Sequence, residues 1–152
     1  MSAGYFGDRS KNDLKDLFSG LITANHILHH HGVLDAFGQI SVRNPDNEQA
    51  FFMSHNFAPA LVSSAEDIIE FTVEDGSPVK SEVRVGFSER YIHSEIYKRF
   101  PTVNSIVHSH SPDVLPFAIS GVPLKPVLYT AGFLGMSLTA AHYKPLTLPL
   151  HR

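Results

Sequence analysis

Hydrophobic positions near the start of the chain recur at helical spacing. Leu14, Leu17, Phe18, Leu21, Ile22 and Leu28 fall on one stripe and predict an amphipathic helix. Ser10 to Asp13 has the form of a capping box, and Asp13 and Asp16 put negative charge in the first turn. His29, His30 and His31 supply basic groups at the far end, and Gly32 supplies the stop. From Gly38 the period shortens to two. Gln39 to Arg43 alternates, Asn44 to Asn47 has turn chemistry, and Ala50 to Met53 returns as a second strand, which predicts a hairpin. Glu66 to Val73 reads as a short turn and strand, closed by the turn Glu74 to Pro78.

The second half repeats the alternation of helix and strand. Ser88 is placed to cap a helix over Glu89–Arg99, with Ile92, Ile96 and Phe100 expected on its buried side and Pro101 past its end. Asn104 to His110 follows as a strand centred on Ile106 and Val107. Ser111-Pro112 then opens a third helix whose apolar residues run from Val114 to Ile119, with Pro116 awkward inside it. Gly121 to Pro123 marks a turn before a last strand over Val127–Thr130. Interleaved helices and strands without a repeat or linker point to one layered α/β domain.

Composition narrows the function classes. A length of 152 residues suits one domain, and 43% apolar with 18% charged residues is ordinary for a globular chain. A net charge of −3 with no Lys/Arg cluster argues against nucleic acid as a partner. The chain shows no apolar run of membrane length and no secretory pattern, so no membrane partner is expected. It has no cysteine, which removes disulfides and thiolate chemistry and suits a cytoplasmic location. Ten histidines are the one compositional oddity.

Four of those histidines, His26, His29, His30 and His31, read as solvated or dipole-favoured groups on the first helix. His108 and His110 differ. Residues i and i+2 of a strand share a face, about 7 Å apart, so two imidazoles there can converge on one ion. In isolation a His-x-His pair is more often two polar residues at a strand end. Glu89 alters that balance, because one helix–turn–strand unit would bring its carboxylate toward the pair, where it could complete a metal shell or handle a proton. His93, one turn later on the same face, could support the metal ligands but is expected to be half-exposed. Arg43 could bind an anionic group but is expected to be a solvated strand-end charge.

The stretch from Ser88 to Ser111, SERYIHSEIYKRFPTVNSIVHSHS, resembles the signature of class II aldolases, epimerases and adducin-like proteins. An acidic residue opens a helix, a proline-containing turn follows, and a strand ends in His-x-His. The segment GVLDAFGQISVR is similar to that family's glycine-containing first hairpin, with Gln39 where Asn or His is usual. The resemblance runs from about Leu14 to Gly135 and leaves 136–152 as an atypical tail.

It implies a three-layer α/β/α domain with a central, mostly antiparallel sheet, C-terminally truncated. It also implies a divalent metal ion, Zn2+ first with Fe2+ or Mn2+ as alternatives, held by His108, His110 and Glu89, the last also catalytic. Substrate contacts are expected at Ser41, Ser54, Ser88 and His55. Only half of the family's phosphate cradle is present, in Ser54 and Ser88, so the expected substrate is a small hydroxy-carbonyl compound without phosphate. The family's third metal histidine lies beyond the position where Arg152 ends this chain, and His142 or His151 are weak substitutes.

Three functions follow: a metal-dependent lyase of the aldolase type, a non-haem Fe(II) oxygenase or decarboxylase, and a catalytically silent, adducin-like interaction domain. The resemblance also implies a homo-oligomer.

Overall fold

The computed structural model describes residues 11–80, 86–125, 127, 128 and 131. By backbone proximity the chain divides into two compact units, Met1–Ser111 and Pro112–Arg152. The first holds helix α1 (Lys11–His30), strands β1 (Gln39–Arg43), β2 (Ala50–Ser54) and β3 (Ile68–Thr72), helix α2 (Arg90–Arg99) and strand β4 (Ser105–His108). Short 3-10 turns at Pro59–Leu61 and Ala65–Asp67 lead into β3. The second unit holds helix α3 (Leu115–Ser120).

The sheet has the order β3-β2-β1-β4 and every pair is antiparallel. Strand alternation gives it two different faces. One carries Ile40 and Phe52 and packs with Leu21 of α1 and Leu34 of the loop after it. The other carries Phe51, Met53, Ile69, Phe71 and Ile106 and packs with Tyr97 of α2. The result is helix, sheet and helix in three layers, as the resemblance implies. Gly32 takes a φ of +68° just past α1, the left-handed conformation that ends a helix and favours glycine. The expected capping box begins at Ser10, which lies outside the described residues.

Helix α2 departs from expectation. Its buried residues are Arg90, His93, Ser94 and Tyr97, while Ile92 is 44% and Phe100 51% exposed. His93 is fully buried rather than half-exposed. The reason lies on the facing strand, where β1 turns Gln39, Ser41 and Arg43 toward α2, all buried. A polar helix face is therefore the matching one, because each buried polar group needs a partner. Ser94 donates to the Val73 carbonyl at 2.8 Å. Arg43 donates to the carbonyls of Val103, Glu48, Tyr97 and Phe100 and lies 4.5 Å over the Tyr97 ring, so it is a buried tether and not a solvated charge. Ser88 does not cap the helix, whose N-cap residue is Glu89.

Other boundaries shift less. Strand β4 ends at His108, leaving His110 just beyond it. Helix α3 starts at Leu115, which puts Pro116 in the first turn, where its missing N–H costs nothing. Val127 and Leu128 are not in a strand, and Tyr129 and Thr130 lie outside the described residues. No helix among the described residues is long and apolar enough to cross a membrane.

Candidate metal centre

His108 owes its position to the β1–β4 ladder. Its register partner is Gln39, so both side chains rise on the α2 face of the sheet. Gly38 sets the spacing there. A Cβ at that position would lie 3.1 Å from the Leu34 Cα, 2.8 Å from its Cδ2 and 3.2 Å from the His108 carbonyl oxygen. Only glycine lets the chain pass this close to the backbone of His108.

The Nε2 atoms of His108 and His110 face each other at 3.0 Å, with the rings at 89°. Nδ1 of His110 lies 3.1 Å and 3.3 Å from the two carboxylate oxygens of Asp35. A proton on Nδ1, held by that carboxylate, leaves Nε2 of His110 with its lone pair turned toward His108. This is the carboxylate–histidine arrangement that orients metal-binding imidazoles. Two nitrogens so placed can share a proton or share an ion, and the donor set fits a divalent metal. Among the described residues no group of three His, Asp or Glu gathers closely enough to surround one.

The electrostatics favour a neutral His108 ring. His108 is held below the usual imidazole range, first by burial and then by the neighbouring His110, with Glu89 and Asp35 pulling the other way. Asp35 sits below the ordinary carboxylate range. Burial acts to raise it, but the amide of Phe37, His110 and the amide of Gly38 together outweigh that. A neutral imidazole is the protonation state a metal ligand needs.

Glu89 stands at the N-terminal end of α2, half-buried, and its Oε2 accepts the Ser88 hydroxyl at 3.1 Å. Its charge is felt at both His108 and His93. The structure thus sets Glu89, with Ser88 beside it, within electrostatic reach of His108, which itself meets His110. Ser41 is fully buried, its Oγ 2.7 Å from Nδ1 of His93 and 2.8 Å from the Tyr97 hydroxyl. Ser54 is also buried and, by alternation along β2, lies on the α1 face of the sheet, opposite His108. His55 is half-buried after β2, its ring beside Phe57.

Two further residues join the centre, Asp35 without any functional reading from the sequence and His93 against the half-exposed position expected for it. Asp35 lies about 75 positions from its partner, a distance that no local spacing reveals. His93 carries a buried, unpartnered Nε2, as does Gln39 an unpartnered Oε1. The i, i+4 relation of Glu89 and His93 on one helix was the available signal for the former.

Residues 19–150 match the family model described as the class II aldolase and adducin N-terminal domain. The chain is 52% identical over 117 residues to the decarboxylase tropJ of Talaromyces stipitatus, covering 77% of this chain and 44% of that protein. It is 27% identical over 122 residues to the 3,4-dihydroxyphthalate decarboxylase of Arthrobacter keyseri, covering 77% and 49%. Among solved structures it is similar to the L-fuculose 1-phosphate aldolase from Glaciozyma antarctica, with 28% identity and a TM-score of 0.64 over 81% of this chain and 50% of that one. The chain therefore spans about half the length of the relatives it matches.

Proposed function

Because the chain belongs to the class II aldolase and adducin family, we propose that it serves a divalent-metal lyase that removes carbon dioxide from a small hydroxylated carboxylic acid. The observation that carries the metal is the Nε2 pair of His108 and His110 at 3.0 Å, braced by Asp35. The observation that selects decarboxylation among lyase reactions is the 52% identity to a protein named as a decarboxylase. Aldol cleavage, the reaction expected from the sequence, becomes the second reading, favoured by the similarity to a fuculose phosphate aldolase.

In this reading His108 and His110 hold the ion, with Glu89 as the nearby carboxylate. When bound, the ion supplies an electrophile that polarises substrate oxygens and steadies negative charge. Decarboxylation breaks the bond between the carboxyl carbon and its neighbour, and the electron pair stays on the neighbour. Glu89 handles the proton that this carbon must then receive. Asp35 keeps His110 in one tautomer throughout. Ser88, beside Glu89, is the proposed substrate contact, while Ser54 lies on the other face of the sheet.

A homo-oligomer belongs to the same proposal, and the exposed strip of Tyr91, Ile92 and Phe100 on α2 supports it.

Metal content of the purified protein, compared with His108→Ala, tests the site. Stoichiometric metal in the wild type and its loss in the variant are expected, and equal metal in both would sink the proposal. Carbon dioxide release from hydroxylated aromatic and aliphatic acids, with Zn2+, Mn2+ or Fe2+ supplied, tests the reaction. Aldehyde formation instead would select aldol cleavage. Oxygen consumption with Fe2+ alone would select an oxygenase.

A further inference from the structure

His93 presents an unmatched polar atom beside the site. It is fully buried and stacks near Phe51, with ring centroids 6.4 Å apart and planes at 14°. Its Nδ1 is 2.7 Å from the Ser41 hydroxyl, which is 2.8 Å from the Tyr97 hydroxyl. The order of protons in this chain follows from Tyr97. Burial pushes its phenol up to about 12, so the hydroxyl keeps its proton at neutral pH. Among the described residues its hydrogen-bond partner is Ser41.

A buried hydroxyl proton without an acceptor is strongly disfavoured, so Tyr97 donates to Ser41. Ser41 then donates its single proton to Nδ1 of His93. A neutral His93 must carry its own proton on Nε2. That N–H is buried and has no acceptor among the described residues.

Glu89 stands one helical turn before His93 on the same face of α2. Its carboxylate is held by the exposed Ser88 hydroxyl at 3.1 Å, a contact that solvent competes for. His108, whose charge also reaches His93, turns its Nε2 to His110.

We propose that His93 is a positioning residue whose Nε2–H donates to the Glu89 carboxylate and gives that side chain a second, fixed resting place beside the histidine pair. The inference rests on the proposed role of Glu89 as the proton-handling group. A hydrogen bond to a charged carboxylate is stronger than one between neutral groups. Glu89 can therefore withdraw onto His93 when substrate oxygens occupy the space near His108 and His110, and remain aimed at the site.

The test is the His93 tautomer in the metal-free full chain, read from long-range proton–nitrogen correlations of its ring. The expected result is the Nε2–H form in the wild type, with a downfield, slowly exchanging Hε2 signal. That signal should shift upfield in Glu89→Leu and hold its position in His108→Ala. Tyr97→Phe, which removes the donor that orders Ser41, should give a mixture of tautomers. An Nδ1–H form in the wild type overturns the proposal, as does an Hε2 signal indifferent to Glu89→Leu or one that follows His108 instead. None of these signals reads metal or turnover. A chain that bound no zinc or released no carbon dioxide would count against the proposed function and leave the His93 assignment standing.

Discussion

Ser41→Ala separates a core role from a substrate role for one buried hydroxyl. Ser41 Oγ has no exposure and sits between Nδ1 of His93 and the hydroxyl of Tyr97, at 2.7 Å and 2.8 Å. Removing one oxygen creates little cavity, so the transfer and void contributions are small. The cost comes from the two groups left behind. Each buried polar group without a partner is worth about 1–3 kcal/mol, which gives roughly 2–6 kcal/mol for the pair. For a chain of this size that corresponds to a melting temperature lower by roughly 5–20 °C.

Urea unfolding of Ser41→Ala, Tyr97→Phe and the double variant supplies the check. Once the tyrosine hydroxyl is gone, the alanine strands only one group. The double variant should then lose at least about 1 kcal/mol less than the sum of the two single changes. A Ser41→Ala protein within about 0.5 kcal/mol of wild type would refute the reasoning, and so would strict additivity. Either result would return Ser41 to the substrate contact expected from the sequence.

Gly38→Ala should cost about 1–3 kcal/mol, because its Cβ would meet Leu34 Cα at 3.1 Å and the His108 carbonyl at 3.2 Å; a thermal melt unchanged from wild type would contradict this. Asp35→Asn should weaken zinc binding by roughly 10- to 100-fold through the loss of its hold on His110. The same change should leave urea stability within about 0.5 kcal/mol, since the pair is part-exposed, and unchanged zinc affinity would remove Asp35 from the site. His93 predicts acid sensitivity. Burial first, then His108, push its pKa down to about 4, while an unfolded histidine titrates near 6.5. Its contribution is complete above about pH 6.5 and is lost as the pH falls toward 4, by up to roughly 3 kcal/mol. Unfolding free energies across that window should flatten in His93→Gln, and an unchanged slope would rule His93 out as the sensor.

Periodicity by itself determined where α1, the β1–β2 hairpin, β3 and β4 run, because each carries its apolar residues at the spacing its own backbone demands. It also singled out His108 and His110 as a pair two residues apart, although His110 lies just past the end of β4, where Asp35 holds its ring. The glycine at position 38 was legible as part of a motif. Its physical reason, the close passage of β1 by the His108 carbonyl, belongs to the folded chain.

Tertiary structure decided the rest. Of the apolar stripe expected to face inward on helix α2, Ile96 packs against the core but Ile92 and Phe100 do not. What settles the matter is the polar row Gln39, Ser41 and Arg43 on β1, which hydropathy along α2 cannot register. A helix face is buried when its groups find partners, and for His93, Ser94 and Tyr97 those partners lie more than 20 positions away in the chain. Asp35 is the same case. Its bond to His110 crosses from the loop after α1 to the end of β4, a meeting made only when β4 pairs beside β1. Local periodicity reports what one segment prefers; the centre is assembled from segments whose preferences are satisfied only by one another.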